Sequence, residues 1–278
     1  MNKQQWFLIS AGIILLACLF FFGNTIPPHK PLPVAAADSS STVTTDGLIA
    51  KYKVGLNDQQ QQKLAQLENS VVRGDVKDQQ IHVFHQLASY WADTLHKDYL
   101  GAYYDGKAAE LENSEKNLTF AAHLLLEGLL GEQDAAMQHW LATEAKEFFE
   151  KALTIDPNND SSKIGLGACY MFGNISDNPM QGILTIREIA DKDPNNMYAQ
   201  MMLGLGGIQS GQYEKAIERF LAVVQKQPGN IEAMLDLAQT YERVGDKVNA
   251  TKWYNAALKY IPASNARNEI ESKIKSLQ

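Results

Sequence analysis

Four glycines, Gly204, Gly206, Gly207 and Gly211, stand within eight positions of the stretch NMYAQMMLGLGGIQSGQY at 196–213. A glycine-rich loop lets backbone N–H groups approach a phosphate, and that is the first chemistry this run suggests. A dinucleotide fingerprint beginning at Gly204 needs a glycine at 209, where Gln209 stands. It also needs a preceding strand, whereas the surrounding Met, Leu, Ala and Gln favour helix. His82 and His85, three apart on a predicted helix, and His96 raise the question of a metal. No third ligand stands at a fitting spacing, and ordinary helix-face histidines account for them. Cys169 is a candidate nucleophile by type alone. Its expected role is a small buried helix residue, the usual state of a free cysteine. The sequence holds no Gly-x-Ser-x-Gly elbow and no His-Glu-x-x-His pair. Its carboxylates are scattered along predicted helices beside cations, as at Glu214, Lys215, Glu218 and Arg219. No enzyme is expected, and no cofactor or metal.

The elements that hold these residues begin with a charge-free run, WFLISAGIILLACLFFF at 6–22. Its 17 residues nearly span a bilayer core at about 1.5 Å per residue, and Gly23 to Ile26 can extend it. A cleaved signal wants a small-x-small exit after a shorter core, yet this run ends in three phenylalanines. LLAC at 15–18 only partly matches a lipoprotein site, because the apolar run continues beyond Cys18. An uncleaved transmembrane anchor is therefore expected over 6–22, after a short tail at 1–5. Lys3 and the amino terminus place the N-terminus in and the body on the extracytoplasmic side of a cytoplasmic membrane. A Pro/Ser/Thr-rich linker at 23–47 cannot bury a core. Residues 1–47 sum to zero charge, so the whole net charge of −7 lies on 48–278. An acidic body argues against nucleic acid. The two cysteines, Cys18 and Cys169, form no disulfide framework.

From 57 onward the apolar period is helical, and no alternating β-branched run appears, so the chain is expected to be all-α. Helices are expected from Asn57 or Asp58 to Gly74, over 75–96, near 98–112, and near 115–130 with Ser114 as cap. DAAMQHWLATEAKEFFEKAL is expected to form one long helix. Prolines 157, 194, 228 and 262 are spaced by 37, 34 and 34 residues. Between them Leu237, Ala238, Tyr241, Gly245, Ala250, Tyr254 and Ala257 mark one helix-turn-helix unit. Leu203, Gly204, Gly211, Ala216, Phe220 and Val223 mark the unit before it, with Gly207 where an aromatic is expected. Leu166, Gly167, Tyr170, Gly182, Ile186 and Ile189 mark a third, and Ala145, Phe149 and Ala152 close a fourth, stretched unit.

This spacing and these residues resemble the tetratricopeptide repeat (TPR) family. The resemblance implies an α-solenoid: a helical region at 48–113 with a degenerate repeat at 76–113, an array at 114–263 and a capping helix at 264–278. The glycine run then becomes the first helix of a unit. Gly204 sits where helices cross closely, and leucine there should destabilise while alanine should be tolerated. The resemblance also implies a concave surface lined by set first-helix positions. These are Ser161, Ile164, Ala168 and Met171, then Tyr198, Met201, Leu205 and Ile208, then Glu232, Leu235, Gln239 and Glu242. Its middle is apolar and methionine-bearing and one end is acidic. The same positions are alternatively core, covered by another helix. Family members that clamp a terminal carboxylate present Lys, Asn and Arg in this groove. Ile164, Ala168, Met202, Glu232 and Asp236 stand there instead. In architecture the chain resembles bacterial inner-membrane TPR proteins that attend envelope assembly. The expected function is a membrane-anchored adaptor or scaffold for a protein or peptide partner. The alternative is a chaperone-like binder of extended apolar segments of secreted clients. Neither nucleic acid nor a small-molecule substrate is expected.

Overall fold

The computed structural model describes residues 43–73, 76–175 and 179–277. The proposed anchor at 6–22 and most of the linker lie outside these residues. Among the described residues there are thirteen α-helices and no strand, and no helix long and apolar enough to cross a membrane. They are α1 (Thr45–Lys53), α2 (Asp58–Arg73), α3 (Lys77–Ser89), α4 (Asp98–Glu112), α5 (Glu115–Gly131), α6 (Ala135–Ile155) and α7 (Asp160–Phe172). There follow α8 (Met180–Lys192), α9 (Met197–Gln209), α10 (Tyr213–Lys226), α11 (Ile231–Arg243), α12 (Lys247–Leu258) and α13 (Asn265–Leu277).

Local chemistry explains why the helices begin where they do. Each periodic proline lies two residues before a cap that accepts a hydrogen bond from a first-turn amide. Asn159 takes Ser162 N at 2.8 Å, Asn196 takes Ala199 N at 3.0 Å, and Asn230 takes Ala233 N at 2.9 Å. Ser264 takes Arg267 N at 3.3 Å. Asp134 caps α6, which runs unbroken for 21 residues as expected for the stretched unit. Gly211 and Gly245, at φ of 72° and 80°, make the turns inside the last two units. An L side chain is strained in that left-handed region.

The pairs α3–α4, α5–α6, α7–α8, α9–α10 and α11–α12 each pack together and stack on the next pair. One apolar core runs from Leu48 to Ala257. Aromatic rings press onto glycines where helices cross: Phe148 on Gly106, Phe149 on Gly165, and Phe220 on Gly204. A Cβ at Gly204 would come within 2.5 Å of Phe220 Cε1. Phe220 is fully buried, so its ring has little room to retreat, and the expected tolerance of alanine there is corrected. The glycine run is helical, as the repeat implies.

Two features depart from the expected elements. Helix α1 begins at Thr45, inside the stretch assigned to the linker. Thr44 caps it, and the Thr45 hydroxyl donates to Glu144 at 2.9 Å while accepting from Trp140 Nε1 at 3.0 Å. Those partners lie on α6, about a hundred residues away, so tertiary contact orders this end of the linker. Helix α3 widens into a π-turn at Tyr90–Thr94 and ends at His96, whose φ is 52°. His85 bridges α3 to α4, with Nδ1 3.1 Å from Asp105 and Nε2 3.0 Å from Glu112. The Glu112 hydrogen bond and the two acids hold its pKa above the usual histidine value, against a smaller effect of burial. His82 contacts Gln86 of its own helix.

Candidate functional site

The first helices of successive units, α5, α7, α9 and α11, lie side by side in contact. Their curvature is tight enough for α5 and α9 to meet across α7. The His123 and Tyr198 rings stand 5.2 Å apart, edge to face, and the Tyr198 hydroxyl lies 3.4 Å from His123 Nδ1. His123 Nε2 is 2.9 Å from Ser161 Oγ. A neutral imidazole protonated on Nε2 satisfies both contacts at once, and burial holds the His123 pKa below its ordinary value. Burial likewise pushes the Tyr198 hydroxyl up.

This closure decides the fate of the expected groove residues. Ile164 and Ala168 have no exposed surface, and Met171 is buried against the bare face of Gly206. These three are core residues, so the expected apolar middle of an open groove is corrected for α7. On α9, Met201 is only 6% exposed, whereas Tyr198, Leu205 and Ile208 are half-buried. On α11, Glu232 and Gln239 are exposed and Leu235 and Glu242 half-buried. The α11 positions divide between two places. Leu235, Gln239 and Glu242 line a cavity of about 430 Å³ together with Ile270 and Lys273 of α13. Lys273 Nζ pairs with Glu242 at 3.0 Å, so the acidic end is partly neutralised by the capping helix. Glu232 faces elsewhere.

The surface that stays open is a cleft of about 380 Å³ between α5, the start of α9 and the start of α11. Leu126, Leu130, Met197, Tyr198, Met201 and Met202 supply its apolar lining. Glu127 of α5 and Glu232 of α11 also line it. Partial desolvation at its base, then the charge of Glu127, raises the pKa of Glu232. Asp236 lies one turn further along α11. Its pKa is pushed up to about 7 by burial and then by Glu232, and its Oδ2 is buried without a hydrogen-bond partner. Sequence reasoning found Tyr198, Met201 and Glu232 but not the α5 contribution. Ala122 marks the repeat slot in α5, and the count used for later units places His123 and Leu126 on the inner face. The 11 residues inserted before Ala145 obscured that count. Cys169 lies apart from the cleft, fully buried in α7, and burial pushes its thiol pKa up. A thiol in that state is a packing group, not a nucleophile.

The pattern described as tetratricopeptide repeat matches residues 142–159. The structure of PilW, described as a widely conserved type IV pilus biogenesis factor, superimposes with a TM-score of 0.50 at 17% identity. The match covers 71% of this chain and 85% of that one. The body is an all-α solenoid similar in fold to tetratricopeptide-repeat proteins. The TPR protein YrrB, described as having an unusual peptide-binding site, matches at a TM-score of 0.41 and 17% identity, over 74% of this chain and 97% of its own. MamA 41-end from Desulfovibrio magneticus RS-1 matches at 0.42 and 19%, over 67% and 96%. The family described as regulator of microtubule dynamics protein 1-3 matches residues 195–278, which hold the last two TPR units and α13. Among curated protein sequences none matches the chain. In TPR terms the cleft is the part of the concave surface that the curvature leaves uncovered.

Proposed function

We propose that the chain is a membrane-anchored adaptor. The run at 6–22 holds it in the cytoplasmic membrane, N-terminus in, with the TPR body on the extracytoplasmic side. The concave cleft takes an extended segment of a protein partner. The observation that carries this reading is the cleft itself: an open apolar surface on the inner face that also bears two carboxylates, Glu127 and Glu232. The charge-free 17-residue run supports the anchor. A chaperone-like role would be served by an apolar surface alone. The carboxylates favour a selective ligand, and so the adaptor.

A photocrosslinking residue placed at Glu232 tests the reading, with Val248 on α12, 81% exposed and outside the cleft, as control. In intact membranes the Glu232 position should give a discrete adduct with one protein. That adduct should vanish when Leu130→Ser and Met197→Ser remove apolar lining. Equal labelling from both positions, or an adduct indifferent to the lining, would remove the cleft from the account.

A further inference from the structure

Glu127 and Glu232 bring two carboxylates to one cleft from helices that are distant in sequence, and Asp236 lies one turn beyond Glu232 on α11. Among the described residues none of the three is in an ion pair. No lysine or arginine lines the cleft. Elsewhere on the molecule acids do find cations, as Glu68 finds Lys53 at 2.7 Å and Glu150 finds Lys146 at 2.9 Å. Asp236 is the extreme case, with one carboxylate oxygen buried and unpartnered. A carboxylate withdrawn from water without a cation or donor destabilises its surroundings. The deficit disappears when a partner supplies the missing charge. Apolar side chains border the same carboxylates, so a ligand meets both chemistries at once.

We infer that the cleft takes a peptide segment in which a lysine or arginine stands beside large apolar side chains, the cation directed to Glu127 and Glu232 and the apolar groups to the Leu130, Met197 and Tyr198 side. This rests on the cleft being the partner site. The charge complementarity excludes the acidic or carboxylate-terminated segments that a basic groove would select. Long-range attraction adds to the association rate and fades with salt.

Selection of a random short-peptide library on the full-length protein tests this. Selected peptides should be enriched in lysine or arginine next to Leu, Ile, Met or Phe. A selected peptide should bind the Glu127→Gln/Glu232→Gln variant about tenfold or more weakly, and should lose affinity for the natural protein when its cation becomes methionine. Both substitutions keep side-chain shape, and a melting curve at or above that of the natural protein shows the variant folded. Peptides with no enrichment in cations that nonetheless lose binding with Leu130→Ser/Met197→Ser would overturn the charge inference and leave the cleft reading standing. Peptides indifferent to both pairs of substitutions, or no selected peptide at all, would overturn both.

Discussion

At the scale of single residues, Gly204 and Asp236 illustrate opposite pressures. Gly204 exists because Phe220 needs its space. Gly204→Leu forces a branched chain between crossing helices, and Gly204→Ala already collides with the ring. Overpacking of this kind costs about 1–3 kcal/mol, so both variants should melt below the natural protein, the leucine form further. An alanine variant with an unchanged melting curve would show that Phe220 yields. Met201, although beside the cleft, is core, and Met201→Ser should cost about 2–5 kcal/mol in chemical denaturation. Asp236 is placed against its own stability. Its folded-state pKa of about 7 lies above its ordinary value of 3.8, so the folded chain prefers the protonated form. That contribution is greatest below pH 4 and is lost as pH rises towards 7. Asp236→Asn should therefore equal the natural protein in stability near pH 4 and exceed it increasingly up to pH 7. The upper bound is about 4 kcal/mol, reduced by water entering the cleft. Parallel denaturation midpoints for the two proteins across that range would refute the burial of an unpaired charge there.

Among the elements, the punctuation between units recurs with little change. Proline ends one pair, and two residues later Asn159, Asn196, Asn230 or Ser264 caps the next helix. Asn196→Ala should cost about 1 kcal/mol. Asn159→Ala should cost more, because its side-chain amide also donates to Glu115 of α5 at 2.5 Å and so ties two units together. Denaturation midpoints falling in the opposite order would show that the inter-unit bond contributes nothing. Helix α13 closes the last unit: Ile274 joins a small cluster with Ala238, Tyr254 and Leu258, and Lys273 answers Glu242. A chain ending at 264 leaves that cluster open. Hydrogen exchange in α11 and α12 should rise well before exchange in α5 to α8, since contact in a solenoid passes only between neighbours. Unchanged protection of α11 would mean the capping helix is dispensable.

On the scale of the whole molecule, curvature is the deciding property. The His123–Tyr198 contact joins first helices two units apart and so shuts the inner face of α7. Tyr198→Ala should loosen the arc, raise the radius of gyration in solution scattering, and expose Ile164 and Ala168 to solvent. The proposed membrane anchor acts at the same scale. The mature chain should begin at Met1 or Asn2 and resist alkaline carbonate extraction. Protease outside the cytoplasmic membrane should cut the linker near 35–43, before α1, and release a helical body. A mature N-terminus beyond residue 22 would sink the anchor.

The sequence by itself determined the helical class, the repeat period and most helix ends. Each of these depends on local chemistry that a few neighbouring residues carry: a proline that stops a helix, a cap that starts one, an apolar stripe every third or fourth position. The run from Ala135 to Ile155 was readable as one helix because inserted turns leave its stripe unbroken. The inner positions of each unit were countable too, but not their exposure. Ile164 and Tyr198 are both inner positions in the count, yet one is sealed and the other borders an open cleft. Their difference is set by the angle accumulated between units, which depends on bare glycines, pressed aromatic rings and the reach of Tyr198 to His123, 75 residues away. The same folding brings Glu127 over Glu232 and leaves Asp236 without a cation. No spacing along the chain encodes that meeting, because it is made only when helices from separate units are stacked.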